Sequence, residues 1–431
     1  MILDNRMTID GVIREYWEWE LPDIKERGID LFREEDLIND IVGPRRAGKT
    51  YLMFWEIKQH PRRATIYINF EDRRLLPPTG EYFNDIIRFI WGERLLEQYG
   101  KVYLFLDEVQ RMEGWERWVR SVYDEFKGRI KIFVSGSSSR LLSKEYAELL
   151  TGRHLTTVVT PLSFSEFLAF RGFKLREHPT EKEEALIQRY LKEYLTFGSF
   201  PEVVLSDDKE AIGSQLFTDI ISRDIISRVD IRKHGVMEEF AYYLLNNVSN
   251  LLSFNKMANY FKSRGIKVSV PTLANYFGYM KNAFLFFDHT IYSYKIRDQF
   301  QYPRKVYCID PGIANMLSSR DLGRVYENAV AVELLRRGRV GQKPGMGVHY
   351  WKSRYQEEVD FVVTDRSGVT QLIQVSLSGT EEREARALMK AMEEFGLAEG
   401  LVITGDLEGE EIKDDKKIIY TPLWKWLLGL S

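Results

Sequence analysis

The stretch IVGPRRAGKT, residues 41–50, decides the fold. Its last eight residues match the pattern G-x-x-x-x-G-K-[ST], in which backbone N–H groups surround phosphate oxygens and the following helix adds its positive end. The apolar pair Ile41-Val42 precedes this loop and a helical pattern follows it, as a strand–loop–helix unit requires. The stretch therefore predicts a nucleotide-binding α/β domain. All eight loop residues are expected at the phosphates: Gly43, Pro44, Arg45, Arg46, Ala47, Gly48, Lys49 and Thr50.

Two residues of this loop have distinct predicted roles. Lys49 is expected to reach the β- and γ-phosphates, and the Thr50 hydroxyl is expected to bind Mg²⁺. The chain has no Asn-Lys-x-Asp motif of the kind that specifies guanine. The sequence therefore predicts ATP and ADP, with Mg²⁺, as the ligands.

A second apolar strand ends in two acids. It reads KVYLFLDEVQ, residues 101–110, and places Asp107 and Glu108 at its end. Asp107 is expected to hold Mg²⁺, and Glu108 is expected to polarise the attacking water. A glutamate that polarises water indicates hydrolysis of ATP rather than phosphoryl transfer to a small molecule.

A third strand, IKIFVSGSSSRLL at 130–142, ends in small hydroxyl residues. This strand resembles the one that carries a polar residue near the attacking water in AAA-type ATPases. The resemblance makes Ser137 our candidate for that residue, and Ser135 is the next choice. A turn rich in serine and glycine, with no catalytic role, is the alternative interpretation.

The composition excludes several classes of protein. A chain of 431 residues with 44% hydrophobic and 29% charged residues predicts two to four ordinary globular domains. The single cysteine, Cys308, excludes a disulfide framework and a cysteine-based zinc site. The start of the chain lacks the apolar core of a signal peptide, and no apolar run approaches the roughly 18 residues of a membrane span. We therefore expect a cytoplasmic protein.

Positive charge is concentrated in one segment of an acidic chain. The net charge is −3, yet residues 253–320 carry ten Lys/Arg and three Asp, which gives +7. Residues 236–312 fit a winged helix, whose second helix is predicted at 269–283 with its cap at Ser269 or Val270. Double-stranded DNA is the expected partner, and internal docking is the alternative. The candidate DNA contacts are Lys267, Thr272, Asn275, Tyr276, Tyr279, Lys295 and Arg297.

Taken in order, these motifs resemble an archaeal and bacterial family of AAA+-like P-loop ATPases with a C-terminal winged helix and a PD-(D/E)xK restriction-endonuclease-like domain. The matching pieces are GPRRAGKT, YLFLDEVQ, SGSSSRLL, TGRHL, PLSFSEFL, FGSFPEVV, SRDI, KVYCIDPGIANML and EEVDFVV. The resemblance implies an ATP-binding domain over 1–160, a helical lid over 161–235, the winged helix over 236–312 and the endonuclease-like domain over 313–431. Arg153 matches a family arginine that could sense the γ-phosphate; a surface cation at a helix end is the alternative.

The nuclease-like part is expected to be degenerate. In such nucleases a helix Glu, a strand Asp and a Glu-x-Lys on the next strand together bind Mg²⁺ and orient water. Glu327, with Glu333 as second choice, matches the helix acid, and Asp360 matches the strand Asp. Gln374 and Ser376 stand where Glu and Lys are needed, and neither can replace a carboxylate or a cation.

Three functional hypotheses follow. The leading one is a Mg²⁺-dependent ATPase switch that engages DNA. The second is an ATP-gated nuclease whose site has been rearranged through other residues, namely Lys352, Lys390 or Glu358. The third is a regulatory scaffold that binds nucleotide but no nucleic acid. The oligomeric state, and with it the question of whether Arg153 acts in its own subunit, stays open.

Overall fold

The computed structural model describes residues 8–29, 31, 36–77, 79–137, 150, 152–228, 231, 233–317, 321–339, 345–379 and 381–430. Contacts divide the chain into two compact units, residues 1–159 and 160–431. Each unit is described by itself.

The first unit is built on a five-stranded sheet in which every pairing is parallel, with strand order β2-β3-β4-β1-β5. Its strands are β1 (Ile38–Val42), β2 (Thr65–Asn69), β3 (Val102–Asp107), β4 (Ile130–Gly136) and β5 (His154–Val158). Its helices are α1 (Ile9–Glu18), α2 (Lys49–Ile57), α3 (Glu81–Gly92), α4 (Leu95–Tyr99) and α5 (Trp115–Glu125). The predicted α/β nucleotide-binding fold is confirmed.

The strand order explains how three distant motifs can form one site. Because the strands are parallel, their carboxyl ends share one edge of the sheet. The loop at 43–50 follows β1, Asp107 ends β3, and Ser135 lies near the end of β4, between the other two strands. Every residue of β1 and β4 is buried, as the continuous apolar pattern of interior parallel strands requires.

The second unit begins with helices: α6 (Phe164–Phe170), α7 (Glu181–Phe197), α8 (Pro201–Leu205) and α9 (Lys209–Asp219). Ser163 and Thr180 each form a capping box with a glutamate three residues later, which fixes where α6 and α7 begin. The helical character predicted for 161–235 is therefore present. By their contacts these helices group with the C-terminal part of the chain, and their action as a lid stays a prediction.

A buried carboxylate joins two stretches that are far apart in sequence. Asp310 accepts hydrogen bonds from the Ser199 backbone N at 2.7 Å and its Oγ at 2.8 Å, and from the N–H groups of Gly312 and Ile313, both at 2.9 Å. A Cβ on Gly312 would lie 1.8 Å from the backbone N of Gly198. This close approach needs glycine, and it explains why FGSFPEVV and CIDPGIANML occur together.

A three-stranded antiparallel sheet follows, with order β6-β8-β7. The elements are α10 (His234–Asn246), β6 (Leu251–Leu252), α11 (Phe254–Ser263), α12 (Val270–Asn282), β7 (Phe286–His289), α13 (Ile296–Gln301), β8 (Arg304–Cys308) and α14 (Pro311–Met316). Ser269 caps α12 by accepting from the Thr272 backbone N at 3.2 Å, as one of the two predicted caps. Two helices and a β-hairpin therefore stand where the sequence predicts them.

The chain ends in a six-stranded mixed sheet with order β13-β14-β12-β11-β10-β9. Its elements are α15 (Leu322–Arg339), β9 (Gly347–Lys352), β10 (Glu358–Asp365), β11 (Gly368–Val375), α16 (Glu382–Phe395), β12 (Glu399–Thr404), β13 (Gly409–Lys413), β14 (Lys416–Pro422) and α17 (Leu423–Leu428). The sequence pattern of residues 320–431 predicts a helix, three strands, a second helix and two further strands in this order, and β13 and α17 are the elements that it does not predict. Separate apolar clusters form around this sheet, one with residues of α15 and α17 and the other with residues of α16. Among the described helices, none is long and apolar enough to span a membrane.

Candidate nucleotide site and C-terminal acidic cluster

The phosphate loop closes tightly against the neighbouring strand. Gly43 has φ 155°, and a Cβ there would lie 2.0 Å from the carbonyl oxygen of Val159. The Val159 N–H donates to the carbonyl oxygen of Val42 at 2.7 Å, which keeps these two segments of the chain together. Arg27 supports the loop from outside by donating to the carbonyl oxygen of Ala47 at 2.8 Å. Only glycine fits at the first position of the loop.

Lys49 is folded back along the loop. Its ammonium donates to the carbonyl oxygens of Gly43 at 3.1 Å and Pro44 at 3.0 Å, and the side chain is buried. These carbonyls border the cradle in which phosphates bind in loops of this pattern. The ammonium is therefore held beside the predicted site of the β- and γ-phosphates.

Asp107 is the centre of a hydroxyl network. Its Oδ2 accepts from Thr50 Oγ1 at 2.7 Å and from the Tyr67 hydroxyl at 2.9 Å, while its Oδ1 accepts from Ser135 Oγ. Burial, followed by the charge of Glu108, raises the pKa of Asp107. A buried carboxylate that three hydroxyls orient is ready for a stronger cationic partner.

Glu108 directly follows β3 in an unusual backbone conformation. It has φ 52°, an uncommon conformation for a residue other than glycine. Its Oε2 accepts from Ser137 Oγ at 3.0 Å and from the Gln110 side chain, and its backbone N donates to Ser135 Oγ at 3.2 Å. The two predicted serines thus have different contacts. Ser135 contacts the carboxylate of Asp107 and the backbone N of Glu108, and Ser137 contacts the carboxylate of Glu108.

The donor set suits Mg²⁺. Thr50 and Asp107 supply a hydroxyl and a carboxylate within hydrogen-bonding distance, and Mg²⁺ prefers such oxygen ligands. Among the described residues no group of three or more His, Cys, Asp or Glu could hold a metal. In nucleotide sites, one or two protein oxygens hold Mg²⁺ together with substrate phosphates and water.

The loop arginines have different surroundings. Arg45 lies 3.4 Å from Glu71, which also pairs with Arg111, whereas the Arg46 side chain is exposed. Burial raises the pKa of Glu71, but Arg111 and Arg45 outweigh it and hold that pKa below its ordinary value. Arg45 is therefore tethered to an anionic carboxylate beside the loop.

Arg153 lies at the other edge of the sheet. It precedes β5, its carbonyl oxygen accepts from Ile38 N at 2.8 Å, and its guanidinium pairs with Asp124 at 2.9 Å. Ile38 begins β1, whereas the loop follows the end of β1, roughly 16 Å away at the rise of a β-strand. The structure therefore does not bring Arg153 to the phosphate loop of its own chain.

On α12, one predicted DNA contact is wrong. Tyr276 was expected to face outward, but it is only 7% exposed, because it lies on the side of the helix that also buries Leu273 and Phe277. Asn275 is exposed, while Thr272 and Tyr279 are half-buried. The side chains of Lys267, Lys295 and Arg297 are also exposed.

The predicted excess of positive charge is only partly on the surface. Lys281 and Arg304 both pair with Asp288, the latter at 2.8 Å. Lys305 is 2% exposed and belongs to an interior cluster. The +7 of residues 253–320 therefore overstates the basic character of the surface of this segment.

The interior cluster around Lys305 contains both acids that the nuclease comparison singled out. The Lys305 ammonium lies 2.8 Å from Asp360, 3.1 Å from Glu327 and 2.6 Å from Glu358. The Tyr307 hydroxyl donates to Glu327 at 2.9 Å. We call Lys305, Glu327, Glu358 and Asp360 the C-terminal acidic cluster.

Charge in this cluster is largely offset from within. Burial lowers the pKa of Lys305, but Asp360 and Glu327 outweigh it and raise that pKa well above its ordinary value, so the amine stays charged. Burial raises the pKa of Glu327 to about 8, against the opposing effect of Lys305. The ammonium offsets one of the three carboxylates and a proton on Glu327 offsets a second near neutral pH.

Gln374 and Ser376 lie next to this cluster as buried, uncharged residues. Gln374 Oε1 is 3.4 Å from the Asp360 backbone N, and Ser376 Oγ accepts from Gly379 N at 3.2 Å. Asp360 Oδ2 accepts from Val375 N at 2.9 Å. The two positions that require Glu and Lys in a nuclease thus have structural roles here.

Of the four alternative nuclease residues, two lie at or beside the C-terminal acidic cluster and two pair with other residues. Glu333 is held by Arg336 and Arg337, so Glu327 is the acid that faces Asp360 across Lys305. Among the proposed relocated residues, Glu358 joins the cluster, Lys352 reaches Glu358 at 3.8 Å, and Lys390 pairs with Glu357 instead.

Sequence reasoning missed three residues of these sites. Tyr67 and Arg27 contact the nucleotide site from segments with no motif, and only the fold shows their positions. Lys305 was counted in the positive charge of residues 253–320, although its place beside the apolar residues of KVYC could have indicated burial. A lysine within a buried strand generally needs an acidic partner.

Family models match the chain in three consecutive parts. A model described as an AAA domain matches residues 36–168, and two domains of unknown function match residues 188–323 and 322–426. The AAA match agrees with the loop, the acidic strand and the parallel sheet, and it supports nucleotide binding. Neither C-terminal model carries an assigned role.

Whole-chain relatives and solved structures were also found. The uncharacterized protein MJ1544 of Methanocaldococcus jannaschii is 35% identical over 99% of this chain and 96% of its own length. An uncharacterized protein of Haemophilus influenzae is 30% identical over 71% of this chain and 76% of its own length. The Walker-type ATPase paby2304 of Pyrococcus abyssi is 14% identical, with a TM-score of 0.43, and covers 69% of this chain and 99% of the other. The chain belongs to the family of MJ1544 and its Haemophilus relative, with an AAA domain as its N-terminal part.

Proposed function

We propose that this protein is a Mg²⁺-dependent ATPase that works as a nucleotide-driven switch. The observation that carries the proposal is the joint placement of Thr50, Asp107, Glu108 and Ser137 at one end of the sheet, beside a glycine-bounded phosphate loop. Thr50 and Asp107 are in place to bind Mg²⁺, and Lys49 lies beside the predicted phosphate position. When bound, Mg²⁺ neutralises charge on the phosphate oxygens.

Glu108 is the residue that acts on water. Ser137 and Gln110 hold its carboxylate, so it can accept a proton or a hydrogen bond from the attacking water in one orientation. Lys49 stabilises the charge that develops on the transferred phosphoryl group. Hydrolysis would then change the conformation of the helical segment 161–235, which acts as the lid in this proposal.

DNA is the proposed partner of the switch. Support comes from α12, which presents Asn275 on the surface with Lys267 exposed just before the helix. We retain Lys267, Thr272, Asn275, Tyr279, Lys295 and Arg297 as contacts and omit Tyr276. Asn275→Glu should weaken salt-dependent binding to duplex DNA, whereas Gln98→Glu, an exposed position with the same change of charge, should not.

The nuclease hypothesis is the weaker one. A Mg²⁺ ion would have to compete with the Lys305 ammonium, which contacts all three carboxylates. The scaffold hypothesis differs from ours in predicting no DNA binding at any salt concentration.

Two variants test the ATPase proposal. Lys49→Ala should lose nucleotide binding. Glu108→Gln should keep binding and lose hydrolysis by about 10²–10⁴-fold, the usual contribution of a general base. Fluorescent-nucleotide titration and phosphate release measure the two properties, and normal turnover by Glu108→Gln would overturn the assignment.

A further inference from the structure

Exposed tyrosines of the second unit gather around one groove. Tyr294 is 80% exposed, Tyr355 is 84% exposed and Tyr302 is 52% exposed, and all three line an open groove of about 750 Å³. One wall is the segment that follows β7, and another is the turn between β9 and β10. Large aromatic side chains with this exposure usually mark a binding surface, because burying them on a partner is favourable.

The two most exposed rings stand on defined turns. The Ser353 hydroxyl accepts from the backbone N of Tyr355 at 3.1 Å and of Glu357 at 3.1 Å, and it donates to the Glu357 carboxylate. The Ser293 hydroxyl accepts from the backbone N of Lys295 at 3.1 Å. Tyr292 meets the Tyr294 ring edge to face at 5.5 Å. The backbone that presents these rings is therefore organised before any partner binds.

Cations line the groove together with the rings. Lys295 and Arg354 are exposed neighbours of Tyr294 and Tyr355, and Lys352 lines the same groove. The acids of the groove are Glu357, Glu393 and Glu394. Lys390 pairs with Glu357 at 2.7 Å and lies over the Tyr355 ring, so this acid is neutralised. The remaining acids come from α16, which leaves the basic side chains on the two tyrosine-bearing walls.

We propose that this groove binds single-stranded nucleic acid. Aromatic rings that stack on bases, alternating with cations that contact phosphates, are the chemistry that single-strand sites use. A duplex keeps its bases stacked inside and offers no ring to Tyr294 or Tyr355. The groove therefore adds a second kind of contact to the proposed duplex binding by α12, and it extends the proposed DNA-related function without depending on the residues of that helix.

The groove also has features of a protein-binding surface, since tyrosine and arginine are common at the centres of such interfaces. The alternation of rings with Lys295, Lys352 and Arg354 favours a polyanion with flat bases over a peptide. A protein partner is therefore the competing outcome of the test.

The test is fluorescence anisotropy of the full-length protein with a labelled oligothymidine of about 16 nucleotides, near the upper site size of single-strand modules. The double variant Tyr294→Ala/Tyr355→Ala should bind at least about tenfold more weakly, given the usual contribution of base stacking. Tyr294→Phe/Tyr355→Phe keeps the rings and should bind like the wild type. Tyr99→Ala, at an exposed tyrosine of the first unit, is the matched control.

The variants separate this proposal from that for α12. Asn275→Glu should weaken duplex binding and leave oligothymidine binding intact, and the double alanine variant should do the reverse. ATP hydrolysis without nucleic acid should be the same in all of them. Arg354→Glu should lower both the affinity for oligothymidine and its dependence on salt concentration. Absence of oligothymidine binding by the wild type, or equal binding by the double alanine variant, would overturn the proposal.

Discussion

Two regions of this molecule combine a lysine with carboxylates, and they differ in what holds the acids. At the nucleotide site, hydroxyls of Thr50, Tyr67 and Ser135 donate to Asp107. In the C-terminal acidic cluster, the ammonium of Lys305 contacts three carboxylates directly. Hydroxyl donors are neutral and can reorient when a metal ion arrives, whereas an ammonium must be displaced as a charge.

This difference indicates that a cluster of acidic residues is not by itself a metal site. Lys49 donates to the carbonyls of its own loop, and the side chains that donate to Asp107 are neutral hydroxyls. Asp360 shares its charge with Lys305 in a buried environment, where separating the pair is costly. We therefore propose that Asp107 binds Mg²⁺ and that Asp360 has a structural role.

Equivalent substitutions at the two aspartates should have opposite consequences. Asp107→Asn should lower Mg²⁺-dependent ATP turnover by about 100-fold or more, because it removes the only carboxylate proposed to hold the ion. Asp360→Asn should leave turnover near the wild-type value and lower the free energy of unfolding. Phosphate release measures turnover and denaturant unfolding measures stability in both variants. Equal loss of turnover in the two would contradict the different roles proposed for Asp107 and Asp360.

Removing the internal cation should destabilise the fold. Lys305→Met leaves Glu327, Glu358 and Asp360 without their ammonium, and breaking a buried ion pair in this way costs about 3–5 kcal/mol. Adding Asp360→Asn to this variant should recover part of the loss, which a double-mutant cycle measures. If Mn²⁺ raises the unfolding temperature of Lys305→Met but not of the wild type, the ammonium does stand in the place of a metal. No change in stability would contradict the role of Lys305.

Restoring the expected nuclease residues should not restore cleavage. Gln374→Glu/Ser376→Lys places two further charges in a buried region, which should lower the free energy of unfolding by about 1–3 kcal/mol. Lys305 still occupies the carboxylates, so we expect no Mg²⁺-dependent cutting of DNA. The same pair of changes combined with Lys305→Met is the informative control, because activity there alone would identify Lys305 as the block.

A smaller effect should appear in the pH dependence of stability. Burial raises the pKa of Glu384, beside Ser376, to about 7. A raised folded-state pKa gives stability below the ordinary Glu value, near 4.3, which is lost as pH rises through about 7. Glu384→Gln should therefore be more stable than the wild type at pH 8, by about 1 kcal/mol after allowing for solvent screening, and equal near pH 4. Thermal unfolding across this range checks the sign.

The residues predicted for the nucleotide site lie together because the motifs that contain them are local. Gly43, Lys49 and Thr50 are fixed by one loop, and Asp107 and Glu108 by one strand end, so parallel pairing alone brings them together. Tyr67 could not be predicted, since its contribution is a hydroxyl at the end of a side chain on a neighbouring strand. The α/β fold and the order of most elements in the C-terminal sheet could likewise be predicted from apolar periodicity.

The C-terminal acidic cluster was only half predictable. Spacing identified Glu327 and Asp360 and showed that Gln374 and Ser376 break the nuclease pattern. Lys305 lies 55 residues before Asp360 and was taken for a surface charge, because composition does not show which lysine is buried. Tyr276 was misassigned for a related reason: tyrosine suits either face of a helix, and packing decided between them.

The most direct test of the central claim measures ATP hydrolysis and DNA cleavage in the same preparation with Mg²⁺ or Mn²⁺. The account predicts ATP turnover that Lys49→Ala removes, and no cleavage of single- or double-stranded DNA with or without ATP. Cleavage that Asp360→Ala abolishes would contradict it, because the C-terminal acidic cluster would then be an active site.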